Sequence, residues 1–396
     1  MKLSIIVCVY NTKEESFAKC LDSIHASTLK DYEVIVIDDG SVNDYTEILK
    51  KYSTVYVKTQ NRGQLAARLY ALLLAKGEYV AYVDSDDGVT FNYHEPMVNL
   101  AINEGCDIVM NDWAFKTENG YASCKGDVGI HGDISLVGDE ILTYFAKDQG
   151  KYRSPYALWN KVFKRSLLMK AKAEIEKTDA IMKKQTYNED MLITFFAFKN
   201  AQKLRNIHTG YYFFDISVSK LPSEAVLKKN VVMAKRSFNI IVDSLGEARQ
   251  DIKENVMKWM KLMCAKHLSF ANANGYDLDD YIKLEYGIED AKDFVSLENY
   301  PDNPLGDNLG EIDSLFRWIL KKGEDVCVKY DKNDAYVVKS VEALRKERGI
   351  EITDGTSPTL IIPKRNITFK DKFASSKLGL KLRSLLKKSI ANIKKL

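Results

Sequence analysis

The chain has 396 residues, of which 45% are hydrophobic and 29% are charged, and its formal net charge is +3. These fractions are typical of a globular protein and exclude a globally disordered chain, and the length corresponds to two or three domains of about 150 residues. No segment approaches the ~20 consecutive apolar residues that a membrane-spanning helix needs. Because the first ten residues are also too short for the apolar region of a signal peptide, we expect a cytoplasmic protein.

Short apolar strands alternate with amphipathic helices over the first part of the chain. Strands are predicted at Leu3–Tyr10, Glu33–Ile37, Thr54–Lys58, Tyr79–Val83 and Cys106–Ala114. Helices are predicted around residues 17–24, 45–49, 64–76 and 97–102. Strands that are apolar throughout are buried on both faces. The pattern therefore predicts an α/β fold, with a Rossmann-like, mostly parallel sheet and helices on both faces.

Polar clusters follow three of these strands, at Tyr10-Asn11, at Asp38-Asp39 and at residues 84–87 (DSDD). Ligands of open α/β sheets bind beyond the carboxyl ends of the strands, so we expect the three clusters to share one site. The patterns Gly-x-Gly-x-x-Gly and Gly-x-x-x-x-Gly-Lys are absent. The sequence therefore does not support a dinucleotide-binding dehydrogenase or a P-loop nucleotidase.

The DSDD segment places Asp84, Asp86 and Asp87 within four residues of each other. Carboxylates this close repel one another unless a positive charge lies among them. Their hard oxygen atoms suit Mg²⁺ or Mn²⁺, which take their remaining ligands from phosphates and water. A solvated acidic turn is the alternative interpretation.

The pattern changes beyond the first strands. Residues 116–150 are predicted to be rich in loops, a helix is predicted over residues 191–199, and a strand over Tyr211–Phe214. Glu189 and Asp190 open that helix, where acids also serve as caps and dipole partners. Residues 225–273 are almost entirely helical in pattern, and residues 225–360 are interpreted as an accessory region whose sequence indicates no chemistry.

The end of the chain carries a strong positive charge. Residues 364–396 contain eleven Lys or Arg and one acid, a local charge of +10, so the remaining chain has a charge of about −7. Leucines and isoleucines recur at helical spacing over residues 378–396, with lysines and arginines between them. Such a basic amphipathic helix is typical of a segment that lies on an anionic membrane. A partner helix in a homo-oligomer is the alternative, and no nucleic-acid partner is expected because stacking aromatic residues are missing there.

Five segments, in order, resemble the inverting nucleotide-sugar transferases of glycosyltransferase family 2, which have the GT-A fold. They are SIIVCVYN, EVIVIDDGS, QNRGQLAAR, AKGEYVAYVDSDD and NEDMLITF. The resemblance covers about residues 3–220. It implies a GT-A domain at 1–222. Outside the resemblance, the residue pattern predicts a mainly helical accessory domain at 223–362, for acceptor binding or oligomerisation, and the basic amphipathic tail at 363–396.

The resemblance also implies roles for individual residues. Asp39 accepts the N3–H of uracil, which favours UDP, and Tyr10 stacks on the base. Asp86 binds the metal directly, with Asp84 near the ribose or the metal's waters, and Asp190 is the general base that Glu189 assists by positioning the acceptor. The implied donor-binding residues are Val9, Tyr10, Asn11, Asp39, Asn61, Arg68, Asp84, Ser85, Trp159 and Lys161.

This chain departs from the family's pattern at three places. Cys8 stands where the family usually has Pro, and Leu69 stands where it usually has Asn. The Arg that contacts the diphosphate after the Tyr211–Phe214 strand in many members is absent. Lys220, or the serines at 217 and 219, are the substitutes that the sequence offers.

The activity that the resemblance implies is a Mn²⁺- or Mg²⁺-dependent transfer of a sugar from a UDP-sugar to a glycan or a lipid-linked acceptor hydroxyl, with inversion. The expected setting is the synthesis of a bacterial surface polysaccharide or capsule, at the inner face of the cell membrane. A nucleotidyltransferase that uses the same acids is one alternative, although the Gly-rich phosphate loop it needs is missing. A non-catalytic module that binds nucleotide-sugars is the other, although both Asp190 and the DSDD segment are present.

Overall fold

The computed structural model describes residues 1–117, 120–124, 134–146, 156–215, 222–247 and 249–287, together with residues 326–327 and 339–340. The strands are β1 Leu3–Val9, β2 Tyr32–Asp38, β3 Val55–Lys58, β4 Tyr79–Tyr82, β5 Gly88–Val89, β6 Ile108–Met110, β7 Trp113–Thr117, β8 Gly120–Cys124, β9 Ser135–Val137, β10 Lys161–Lys164, β11 Lys203–Asn206, β12 Tyr212–Asp215, β13 Val326–Cys327 and β14 Lys339–Ser340. The helices are α1 Glu14–His25, α2 Thr46–Leu49, α3 Gln64–Leu74, α4 His94–Glu104, α5 Asp139–Ala146, α6 Arg165–Ile175, α7 Glu189–Asn200, α8 Glu224–Ser244, α9 Gln250–Ala273 and α10 Asp279–Tyr286.

The main sheet has eight strands in the order β3-β2-β1-β4-β10-β6-β11-β9. The first four strands of that order run parallel, β10 runs antiparallel between β4 and β6, β11 is parallel to β6, and β9 is antiparallel to β11. Along β1, Ile6 packs in one core, whereas Ile5 and Val7 pack in the core on the opposite face. The predicted α/β sheet with helices on both faces is therefore confirmed, and burial on both faces explains why its strands are apolar throughout.

A second sheet, in the order β5-β12-β7-β8, contains β5, which begins directly after the DSDD segment. Strand β12 pairs antiparallel with β5 and parallel with β7. This arrangement brings residues near 212 to the end of β4, although more than 120 residues separate them in the chain. The second sheet thus supports the acidic segment that follows β4.

Two of the predictions for this region were wrong. The single strand expected at Cys106–Ala114 is divided, with β6 in the main sheet and β7 in the second sheet. The division falls at Asn111, whose side chain accepts a hydrogen bond from the N–H of Thr209 at 3.1 Å and donates to its carbonyl at 2.7 Å, so it replaces a ladder pair. The region expected to be rich in loops contains β8, β9 and α5, and α5 buries an apolar face with Phe145.

Helices α8, α9 and α10 continue the apolar core of the α/β sheet. Phe238 and Trp259 belong to the same cluster of buried residues as Phe145 of α5 and Phe195 of α7. The predicted helical character of this region is confirmed as far as residue 287, with a break between α8 and α9. The domain boundary between 222 and 223 stays a prediction. Most of residues 288–362 and the whole basic tail lie outside the described residues.

Within the described part of the chain, none of the helices combines the length and the apolar character needed to cross a membrane.

Candidate active site

The DSDD segment forms a tight turn after β4, in which the N–H of Asp87 donates to the carbonyl of Asp84 at 3.1 Å. The hydroxyl of Tyr212 accepts a hydrogen bond from the N–H of Asp84 at 3.0 Å and donates to Asp87 Oδ2 at 2.7 Å. Tyr212 is fully buried, and burial, followed by the charges of Asp87 and Asp84, raises the pKa of its hydroxyl well above the usual value. The hydroxyl therefore keeps the proton that it donates to Asp87, while Asp84 and Asp86 remain half-buried at the surface of the turn.

Arg68 of α3 joins the DSDD turn to the beginning of α7. Its Nη2 donates to Asp84 Oδ1 at 2.7 Å, and its Nη1 donates to Glu189 Oε1 at 2.8 Å, across 121 residues of chain. The Arg68 side chain is only 4% exposed. Burial opposes its charge, but Asp84, Glu189 and Asp190 together raise its pKa, so the guanidinium stays protonated. We call these four side chains the Arg68 cluster.

Arg68 therefore binds two carboxylates of the protein itself. Its predicted contact with a diphosphate stays a prediction. Glu189 is buried and bonded to Arg68, which leaves little of it exposed to position an acceptor as the resemblance implied. Gln64 completes the arrangement, because its amide accepts from Arg68 Nη2 at 2.8 Å and donates to Glu189 Oε1 at 3.3 Å when oriented to satisfy both groups. Gln64 was missed by the sequence reasoning, although its position one helical turn before Arg68 was a usable signal.

Asp190, like Asp84, is a half-buried member of the Arg68 cluster. Burial, followed by the negative charge of Glu189, raises the pKa of Asp190 to about 7, against the opposing effect of Arg68. Burial likewise raises the pKa of Glu189, again opposed by Arg68. Asp190 Oδ1 also accepts a hydrogen bond from the N–H of Met191 at 2.8 Å. A carboxylate with a pKa near neutrality and a partly open surface has the properties of a general base.

The ends of β1 and β2 form the opposite side of the site. Asp39 binds the loop before α3, accepting from the N–H of Arg62 at 2.8 Å and of Gly63 at 2.9 Å, one on each carboxylate oxygen. Asn11 has a left-handed backbone with φ 53°, and its side chain accepts from the N–H of Val42 at 2.8 Å. Tyr10 is 55% exposed, so its ring is open to a ligand.

The remaining predicted donor-site residues are less open. Val9 is fully buried, Ser85 bonds Thr12 at 2.6 Å, and the carbonyl of Asn61 accepts from Lys184 at 3.1 Å. The ring of Trp159 stacks on Tyr212 with the ring centres 4.5 Å apart.

Lys161 is 1% exposed, and its ammonium donates to the carbonyl of Ala157 and to Asn160 Oδ1, both at 2.6 Å. Trp159 and Lys161 therefore support the site from its interior, and a contact of either with the donor sugar or the acceptor stays a prediction. The proposed substitutes for the diphosphate-contacting Arg, at 217, 219 and 220, lie outside the described residues.

The residues at the DSDD turn fit a divalent cation that is held by few protein ligands. Among the described residues, no group of three or more His, Cys, Asp or Glu side chains is arranged to hold a metal ion. Asp84 uses Oδ1 for Arg68, and none of the described residues donates to its Oδ2. Mg²⁺ sites with one or two carboxylates, completed by phosphates and water, match this donor set.

The comparison with protein families decides the assignment. Residues 4–125, which include β1, the two acidic segments and Arg68, match the model of glycosyl transferase family 2. The chain therefore contains a glycosyl transferase family 2 region. The DSDD turn and Arg68 lie inside the matched region, whereas Glu189 and Asp190 lie beyond it.

Similar proteins come from several bacteria. The putative glycosyltransferase EpsH of Bacillus subtilis is 26% identical over 226 residues, which covers 55% of this chain and 62% of that protein. The poly(ribitol-phosphate) beta-glucosyltransferase of Bacillus spizizenii is 28% identical over 319 residues, which covers 76% of this chain and 45% of that protein. The match thus spans less than two thirds of either relative. The crystal structure of S. aureus TarS 1–349 in complex with UDP-GlcNAc aligns with 80% of this chain and 84% of its own, at 18% identity and a TM-score of 0.46.

Proposed function

We propose that this family 2 glycosyltransferase moves a sugar from a UDP-sugar to a hydroxyl of a glycan or a lipid-linked acceptor, with inversion at the sugar. The observation that carries the proposal is the Arg68 cluster. One buried guanidinium holds an acid of the DSDD turn and an acid of the α7 N-terminus together, at 2.7 and 2.8 Å, with the half-buried Asp190 beside them. This arrangement supports a site in which the leaving diphosphate and the base lie on the same rim of the sheet.

Asp190 is the group that takes the proton. The acceptor hydroxyl is a weak nucleophile, and a carboxylate within hydrogen-bond distance removes its proton as the new bond to the sugar carbon forms. The bond from that carbon to the UDP oxygen breaks on the opposite face, and UDP leaves with the electron pair. With one base and no second carboxylate acting as nucleophile, the displacement is single and inverts the configuration.

The DSDD turn is the proposed metal site, with Asp86 and the free oxygen of Asp84 as ligands. A bound Mg²⁺ or Mn²⁺ would neutralise the negative charge that develops on the leaving diphosphate. Arg68 contributes by fixing Asp84, and Tyr212 by fixing the backbone of the turn.

The donor nucleotide is proposed to lie at the ends of β1 and β2. Tyr10 supplies an exposed ring for stacking on the base, and Asn11 lies next to it. Each oxygen of Asp39 accepts one backbone hydrogen bond, which orients the carboxylate and leaves lone pairs for a uracil N3–H.

The acceptor and the location of the protein are proposed from the tail and from one relative. The printed name of the Bacillus spizizenii relative, a poly(ribitol-phosphate) beta-glucosyltransferase, supports a surface polymer as the acceptor. The basic amphipathic segment 363–396 supports attachment to the anionic inner face of the cell membrane, where lipid-linked acceptors lie. Removing residues 363–396 should abolish co-sedimentation with vesicles that contain anionic lipid; unchanged sedimentation would contradict membrane attachment.

The central test combines a donor screen with a base variant. Hydrolysis or transfer of a panel of UDP-sugars is measured with Mn²⁺, and Asp190→Asn is expected to lower the rate by about 10² to 10⁴, the usual contribution of a general base. Asp139→Asn is the matched control, because Asp139 also lies in the first turn of a helix but its side chain is 99% exposed. Asp190→Asn with wild-type activity and an intact fold would refute the base assignment, and no response to any UDP-sugar would refute the donor.

A further inference from the structure

The base loop, which we define as residues 185–188, leads directly into Glu189 and Asp190 at the start of α7. Its conformation is unusual, because Asn188 has a left-handed backbone with φ 57°. Residues other than glycine adopt this conformation uncommonly, and it persists where the surroundings hold it. The groups that hold this loop come mainly from α8 and α9, which lie outside the part of the chain that matches the family model.

Gln185 is the first of these attachments. It is fully buried, and its amide nitrogen lies within hydrogen-bond distance of the carbonyl of Tyr187 at 2.7 Å, the carbonyl of Met233 at 2.8 Å and Ser237 Oγ at 2.8 Å. Arg236 of α8 donates to the amide oxygen at 3.2 Å. Because the last two acceptors and this donor belong to α8, the Gln185 side chain fixes the loop to that helix.

Gln185 also reaches α3, the helix that carries Arg68. Its backbone carbonyl accepts from the N–H of Leu65 at 3.3 Å, in the first turn of α3. The loop passes so close to the start of α3 that a Cβ on Gly63 would come within 3.1 Å of the Thr186 side chain. A displacement of the base loop would therefore disturb both ends of the Arg68 cluster.

Ser237 supplies the second attachment. Its hydroxyl accepts from Gln185 and donates to the carbonyl of Asn188 at 3.3 Å, directly before Glu189. Ser237 is fully buried. The serine thus holds the left-handed residue from which α7 begins.

A third attachment runs through three aromatic side chains. His267 of α9 is 4% exposed and lies between the hydroxyl of Tyr187, at 3.3 Å from Nε2, and the hydroxyl of Tyr286, at 3.1 Å from Nδ1. Because a neutral imidazole donates from one nitrogen and accepts at the other, His267 serves both tyrosines in either tautomer. The base loop is therefore tied to α9 and, through Tyr286, to α10.

We infer that α8 and α9 act as positioning elements for the reaction, with Gln185 and Ser237 as positioning residues that hold the base loop and so aim Asp190. The inference rests on the proposed role of Asp190 as the base. It gives the described helices after residue 222 a part in catalysis that needs no contact with the acceptor. Misplacement of a catalytic group by about 1 Å lowers rates by as much as 10²-fold, so small losses of support have measurable consequences.

The test compares two serines of the same helix. Ser237→Ala removes the contact with Asn188, whereas Ser244→Ala removes a hydroxyl that bonds only the carbonyl of Ile240 in its own helix, at 2.6 Å. For Ser237→Ala we expect kcat to fall about 10-fold with the KM for the UDP-sugar unchanged, since the donor site is intact. We also expect faster hydrogen exchange of the amides at residues 186–191. Ser244→Ala should match wild type in both measurements.

The outcomes separate this inference from the proposed function. If Asp190→Asn is inactive while Ser237→Ala keeps the kcat of Ser244→Ala, the positioning role is wrong and the base assignment stands. If Asp190→Asn keeps its activity, the base assignment is wrong and the inference falls with it. A fall in kcat matched by an equal rise in KM, or a fall without faster exchange at 186–191, would also overturn the inference.

Discussion

Replacing Tyr212 with phenylalanine should test whether the second sheet holds the DSDD turn. The hydroxyl is fully buried, and it bonds the N–H of Asp84 at 3.0 Å and the carboxylate of Asp87 at 2.7 Å. Tyr212→Phe keeps the ring and its stacking on Trp159, and it removes only these two hydrogen bonds. The variant therefore isolates the contribution of the hydroxyl.

The expected loss of stability follows from the state in which Tyr212→Phe leaves the N–H of Asp84 and the carboxylate of Asp87. A buried backbone N–H left without a partner costs about 1–3 kcal/mol, and a hydrogen bond to a charged carboxylate contributes about 1.5–3 kcal/mol. We therefore expect Tyr212→Phe to lower the free energy of unfolding by about 3–5 kcal/mol, near the sum of the middle of these ranges. Because the turn carries both proposed metal ligands, we also expect a weaker response of activity to Mn²⁺.

Tyr82→Phe is the matched control. Tyr82 of β4 is also fully buried, but its hydroxyl has no hydrogen-bond partner. Removing an unpaired hydroxyl should leave the free energy of unfolding unchanged or raise it. The assay is urea unfolding of both variants, followed by tryptophan fluorescence, since Trp159 stacks on Tyr212. Equal stabilities of the two variants would refute the claim that Tyr212 supports the turn.

Three further predictions concern charged groups. Burial and Glu189 raise the pKa of Asp190 to about 7, so we expect kcat to fall as the pH drops below 7. We also expect Asp190→Asn to raise the free energy of unfolding at pH 8. This gain should disappear below about pH 4, where the carboxyl is protonated in the unfolded chain too. A gain that is independent of pH would contradict this origin. Burial lowers the pKa of His94 to about 3, so the folded protein should lose stability as the pH falls from about 6.5 towards 3. Relative to His94→Phe, the free energy of unfolding measured in urea should fall by roughly 1.4 kcal/mol per pH unit. Arg68→Lys keeps the charge but loses the planar fork that reaches two carboxylates. We therefore expect activity at least ~10-fold below that of Arg249→Lys, a control at a half-buried arginine outside the Arg68 cluster that binds Asp251, and equal activities would argue against the cluster.

Much of the fold follows from local pattern. The apolar strands β1, β2 and β4 were recognisable because a strand buried on both faces has no polar alternation. The acids after β2 and β4 were expected at one site because the carboxyl ends of parallel strands share an edge of the sheet. The division of the strand at Asn111 was not recognisable, since it depends on hydrogen bonds between the Asn111 side chain and the backbone of Thr209, 98 residues later.

The sequence by itself determined the resemblance to the family and the acids of the candidate site, because the motifs that carry them are contiguous and their order is preserved. Only the tertiary structure decided what each acid contacts. It distinguished Asp87, which Tyr212 binds in the interior, from Asp84, which Arg68 holds at the surface. It also connected Arg68 to Glu189 over 121 residues and tied the base loop to α8. These contacts join side chains that are distant in sequence. No local or periodic pattern of residues marks such pairs, so they become visible only when the chain is folded.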